Sequence, residues 1–167
     1  ANSLHTLLEA AELCKKDKVA FIMVGKGPEK NKLEKEVDRR KLSNVVFLPP
    51  VNKNSVASIL DMFDICYVGF QKQPLFRFGV SPNKLMDYMM AAKPIIYAIE
   101  AGNDPVREAG CGISVPPEDP AAVSEALRRL AAMSRSEREN MGRQGREYVI
   151  KNHDYYVIAQ RFLEVLK

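Results

Sequence analysis

Residues 76–98 read FRFGVSPNKLMDYMMAAKPIIYA, a loop, a helix and a strand in direct succession. The loop is basic, contains Gly79 and reads as flexible up to Ser81-Pro82. Ser81 suits the N-cap of the helix that follows. Pro82 suits its first position, where a missing amide hydrogen costs nothing. The helix runs from about 83 to 92, and Pro94 opens a continuously apolar strand over 94–99.

The same alternation extends both ways. Upstream lie the apolar strands VAFIMVG (19–25), NVVFL (44–48) and DICYVGF (64–70). Between them are a charged helix over 29–42, with a seam of Leu33, Val37 and Leu42, and a short helix over 55–63. Downstream come a short helix over 104–110 and the strand CGISVPP (111–117). A helix over 119–133 follows, with an Asp N-cap and Pro at its first position, then helices over 136–152 and 155–167. Short apolar strands between helices predict an α/β domain with a Rossmann-like, doubly wound parallel sheet, covered on both faces. Residues 1–16 are already an amphipathic helix, with Leu4, Leu7, Leu8, Ala11 and Cys14 on one face. A chain that opens inside a helix reads as a piece from which a preceding strand, and a whole preceding domain, are absent.

In such sheets ligands bind outside the carboxyl ends of the strands. Four loops, 25–28, 48–53, 70–81 and 100–104, fall at those ends and are expected to converge on one crevice. The amides of Asn83, Lys84 and Leu85 would point out of the helix start. Lys84 places a cation in the first turn, against the usual preference for acids there, which suits a phosphate. Asp87 lies on the same helix face, where a carboxylate can take ribose hydroxyls. The alternative is an ordinary capped helix with an i, i+3 Lys–Asp pair. Arg77 can clamp a diphosphate; a solvated loop arginine is the plainer reading. Gly25 in GKGP either lets backbone approach a nucleotide or is simply a tight strand-to-helix turn; it lacks the full G-x-G-x-x-G and a downstream ribose acid, so NAD binding is not expected. The triplet Gly102-Asn103-Asp104 either lines a sugar pocket or is a turn running into an N-cap. Tyr148, Tyr155 and Tyr156 read as anchors of the last helix.

At 167 residues, 46% hydrophobic and 28% charged, the chain can build one domain with a sizeable core. Its net charge of +4 is compatible with anionic small molecules or a membrane surface. There is no basic stripe interleaved with aromatics, so no nucleic-acid partner is expected. Cys14, Cys66 and Cys111 are odd in number and set in apolar stretches, reading as reduced core residues of a cytosolic protein. His5 and His153 have no partner at metal-ligand spacing, and no metal is expected. No stretch is long and apolar enough to span a bilayer, and no signal-peptide pattern is present. No catalytic residue is legible.

The succession VGKGPEKNKLEKEV, NVVFLPPV, ILDMFDICYV, DYMMAAKPII, AGCGISVPPEDPAAVSEAL and MGRQGREYV resembles the C-terminal half of the group-1 retaining glycosyltransferases of the GT-B fold. RFGVSPNKLMDYM resembles the branch that builds bacterial surface polysaccharides such as O-antigen and capsule, transferases of N-acetylated amino sugars among them.

The resemblance implies that residues 1–167 form the C-terminal, nucleotide-sugar-binding domain. Its partners would be a UDP-sugar donor, an N-terminal acceptor domain and a lipid-linked glycan acceptor. Its location would be cytoplasmic, peripheral to the inner membrane, and no cofactor beyond the donor substrate is implied. Backbone amides near Ser81, Asn83 and Lys84 would hold the diphosphate, and Arg77, Phe78, Gly79 and Val80 would lie along the donor sugar and diphosphate. The main chain at Phe47 and Leu48 would meet the base. The family's two glutamates fall on Asp87, a shorter acid for the ribose, and on Gly79, which has no side chain for the sugar. The family's leaving-group Arg and Lys would lie before Ala1. The other readings are a GT-B nucleotide-sugar 2-epimerase domain and a noncatalytic α/β regulatory module.

Overall fold

In the computed structural model, which describes residues 3–166, helices and strands alternate as the sequence predicts. Helix α1 (Leu4–Leu13) leads into strand β1 (Phe21–Val24), α2 (Lys30–Arg40) and β2 (Val45–Leu48). Next come α3 (Val56–Asp61), β3 (Cys66–Gly69), α4 (Asn83–Met90) and β4 (Ile95–Ala98). The chain ends with α5 (Pro105–Ala109), β5 (Gly112–Ser114), α6 (Pro120–Ala132), α7 (Arg135–His153) and α8 (Tyr155–Val165). Residues 1, 2 and 167 of the helices expected over 1–16 and 155–167 lie outside the described residues.

Every strand pairing is parallel, and the ladders form two sheets, β1-β2 and β3-β4-β5. In β4 the period of two sorts the side chains cleanly. Ile96 and Ala98 join a core with Leu8, Ala11, Val123, Leu127 and Leu130 of α1 and α6. Ile95, Tyr97 and Ile99 join a second core with Leu85, Met89 and Val149 of α4 and α7. The three-stranded sheet is therefore covered on both faces, the doubly wound arrangement. Strands β1 and β2 depart from that expectation. Phe21 and Val45 enter the first core, while their neighbours Ile22 and Val46, partners in the ladder, are 41% and 45% exposed.

Local chemistry explains the helix starts. Asp119 accepts the Ala122 amide at 2.9 Å ahead of Pro120, as expected. Ser134 and Glu137 form a reciprocal capping box at the head of α7. Cys14, Cys66 and Cys111 are buried and free, and burial pushes the thiols of Cys66 and Cys111 up to about 12, leaving them unreactive. Tyr148 donates to Glu108 at 2.5 Å and ties α7 to α5. Tyr155 and Tyr156 do not anchor α8: they are 90% and 70% exposed, since that helix buries no residue.

Candidate functional site

The loop between β3 and α4 is held, not flexible. Residues Pro74–Phe78 form a 3-10 helix. Phe76 turns inward, its ring 5.8 Å from that of Phe70, and packs on the second core. Phe78 turns outward, 75% exposed, with the Arg77 guanidinium stacked 4.6 Å over its ring. At its start the loop is strapped by Lys72, whose amide donates to Glu118 at 3.1 Å and whose ammonium meets Glu100 at 2.8 Å.

At its end the loop locks onto residues 102 and 103. The Phe76 carbonyl accepts from the amides of Gly79 and Gly102, each at 2.8 Å. A Cβ on Gly102 would stand 2.2 Å from the Arg77 carbonyl oxygen, so only glycine permits this approach. Asn103 Oδ1 accepts the Val80 amide at 2.8 Å, and its Nδ2 donates to the Val80 carbonyl at 3.1 Å. Asp104 caps α5 by accepting the Arg107 amide at 2.9 Å. The triplet thus contains the expected N-cap, and its middle residue does a second job. The amides of Gly79 and Val80, set by resemblance along the donor, are already used inside the loop.

The start of α4 differs from the expectation in one respect. Pro82, not Ser81, occupies the N-cap, in extended backbone (φ −69, ψ 123), and no side chain caps the helix. Ser81 is exposed and one position too early: proline's fixed φ fits the extended cap as well as the first turn, and its carbonyl takes the Leu85 amide at 2.9 Å. With no side-chain oxygen at the cap, the Asn83 amide has no partner among the described residues. Leu85 and Met89, both fully buried, fix the helix on the sheet. Lys84 is half-buried at the first turn, and burial pulls its ammonium down from the ordinary lysine value. Asp87, one turn on, is exposed.

The other two loops form a second group. Gly25 has a φ of +142, the glycine region, and its amide donates to the Leu48 carbonyl at 3.3 Å. Lys30 Nζ reaches the carbonyls of both Gly25 and Leu48, at 3.4 Å each. Phe47 is half-buried, packed against the first core.

The structure therefore joins Gly25 to Leu48 and joins residues 76–80 to residues 102–103. A cavity of about 300 Å³ also sits at strand ends, lined by Ser3, His5, Thr6 and Glu9 of the α1 start with Glu29, Gln71 and Glu118. None of the residues picked from the sequence lines it. The sequence offered Asn103 as part of a sugar pocket or a turn, and its hold on Val80 was not legible because that partner lies 23 residues away.

A parallel sheet covered on both faces, with a pinned loop and an uncapped helix start following its strand β3, defines a Rossmann-like α/β domain. Residues 1–133 match the family of glycosyl transferases, group 1, and the chain belongs to that family. It is 26% identical over 165 residues, 95% of its length, to a probable glycosyltransferase, WbjE, of Pseudomonas aeruginosa. It is 24% identical over 168 residues, 98% of its length, to WcaI of Escherichia coli K12, a putative colanic acid biosynthesis glycosyl transferase. It spans 39% and 40% of those two proteins. Among solved structures, Anabaena Alr3699/HepE in complex with UDP-glucose superposes with a TM-score of 0.76 at 19% identity, over 97% of this chain and 44% of that one. The fold is that of one half of a GT-B glycosyltransferase.

Proposed function

We propose that this chain is the donor-binding half of a retaining glycosyltransferase that moves a sugar from a UDP-sugar to a lipid-linked glycan during surface-polysaccharide synthesis. The observation that carries this reading is the start of α4. An uncapped helix N-terminus, with Lys84 in its first turn and Asp87 one turn on, follows a loop strapped at both ends. Helix amides and a half-buried ammonium suit the negative charge that grows on a leaving diphosphate, and they supply this stabilisation without a metal. Asp87 takes the ribose hydroxyls. The main chain of Leu48, joined to Gly25, faces the base. Retention follows from attack on the face that the leaving phosphate vacates, guided by the phosphate itself.

Two relatives support the finer points. HepE has been crystallised with UDP-glucose, and WcaI carries a name from colanic acid biosynthesis. Group-1 membership favours glycosyl transfer over a 2-epimerase or a regulatory module. An acceptor domain outside residues 1–167 completes the enzyme on this reading, and relatives more than twice as long support it. No helix among the described residues is long and apolar enough to cross a membrane, which is compatible with a peripheral, cytoplasmic location.

Calorimetric or NMR titration of the chain with UDP, GDP and ADP tests the proposal. Selective binding of UDP, with shifts at Phe47–Leu48 and Ser81–Asp87, is expected. No binding of any of the three at millimolar concentration overturns it.

A further inference from the structure

The contact between Val80 and Asn103 is more than a loop tie. One carboxamide satisfies both backbone groups of a single residue, as a neighbouring β-strand would. Gly79, just before, has a φ of +100, and a Cβ there would stand 3.1 Å from Asn103 Oδ1. The carboxamide thus stands at the edge of the volume into which a residue-79 side chain would project. Gly102, just before Asn103, lies flat on the Arg77 carbonyl, and Asp104, just after, is fixed as the cap of α5. Two short pairs, Gly79-Val80 and Gly102-Asn103, interlock and neither can shift alone. Only Ser81 and Pro82 separate Val80 from the first turn of α4. The direction in which the chain enters that helix is set by what holds Val80.

We propose that Asn103 is a positioning residue of the α4 anion site: it fixes Val80 so that the first amides of α4 converge on the diphosphate. Both polar atoms of its carboxamide are engaged by Val80, so it acts through the loop. This inference rests on the donor-site reading. It explains why an asparagine at the end of the next strand belongs to a site whose other members lie on residues 81–87.

The test compares the chain with Asn103→Ala and Asn103→Asp, measuring Kd for UDP and for uridine, melting temperature, and amide exchange at Val80. Asn103→Ala is expected to weaken UDP by about tenfold, the scale of one or two lost hydrogen bonds, and uridine by less than about twofold. Val80 exchange rises, and the melting temperature falls by about 2–6 °C, as the loss of one or two hydrogen bonds implies, so the split between UDP and uridine carries the test. Asn103→Asp keeps the acceptor for the Val80 amide but sets a charged oxygen against the Val80 carbonyl and adds a negative charge beside the diphosphate, so its loss on UDP is expected to be at least that of Asn103→Ala. Wild-type affinity for UDP in Asn103→Ala overturns the inference while leaving the donor site standing. Equal losses on UDP and uridine do the same, because they mark a general loosening. A parent chain that binds no UDP sinks the donor-site reading and this inference with it.

Discussion

At the scale of single residues, the candidate site depends on where a side chain is and on where one is missing. Asp87 stands where the family resemblance implies a longer acid, and it is exposed one turn into α4, where the proposed function gives it the ribose hydroxyls. Asp87→Asn is therefore expected to weaken UDP by about tenfold or more, since a hydrogen bond to a charged group contributes about 1.5–3 kcal/mol. The 2′,3′-dideoxy analogue of UDP should bind the parent and the variant alike. Equal weakening of the dideoxy analogue would assign Asp87 a structural role. Lys84 and Asp87 were legible in the sequence because their relation is local, three positions on a helix. The N-cap was misplaced by one residue, because serine and proline are both good starters and only the backbone angles decide between them. Asn103 was legible as a turn residue and not as a clamp, since nothing local records that its carboxamide reaches Val80.

Among elements, α7 shows how a helix can spend its intrinsic stability on a close approach. Two glycines interrupt its helical sequence, each costing about 1 kcal/mol relative to alanine. Both face inward. A Cβ on Gly142 would stand 1.8 Å from the Ala92 carbonyl oxygen, and one on Gly145 would stand 2.9 Å from the Cys111 Cβ. The helix crosses the turn between α4 and β4, where Ala92 itself sits at a φ of +52. Gly142→Ala should therefore destabilise the domain despite its better helix propensity. Overpacking against backbone outweighs the gain, and a net loss of about 2 kcal/mol is expected, a fall in Tm of about 5 °C. An unchanged or higher Tm would mean that α7 does not lie this close to Ala92. The helix was legible in the sequence over 136–152, without its Ser134 capping box. Its packing was not, although an unexplained glycine inside a helical pattern is itself a sign of close contact.

For the whole molecule, the division into two sheets carries the last consequence. The Phe21 and Gly25 amides donate to β2, to Asn44 and Leu48, so the alternate residues Ile22 and Val24 turn their backbone groups to the other side. In the same way the Cys66 and Phe70 amides donate to Pro94 and Ala98 beside β4, and Tyr67 and Gly69 turn away. Both outward edges border the first core, which Phe21 and Val45 share with Ile96 and Ala98 beneath α1 and α6. The Ser3 amide donates to the Gly69 carbonyl at 3.2 Å, so the chain entering α1 runs along the open edge of β3. Among the described residues no strand pairs with either edge. Alternation of helix and strand was legible in the sequence because each element carries its own period; the break was not, since which strands touch is a property of the assembled layer. Hydrogen exchange should report it directly. In this chain the Ile22, Val24 and Tyr67 amides are expected to exchange at least about a hundredfold faster than Met23 and Val68, which are paired inside the ladders. In a longer chain with residues added ahead of Ala1, a parallel strand between β1 and β3 would bring the outward amides to the same protection and join the two ladders into one sheet. Unchanged fast exchange at Ile22, Val24 and Tyr67 in the longer chain would mean that the two sheets are separate by design, and that the cavity at Ser3, Glu29 and Gln71 opens between them.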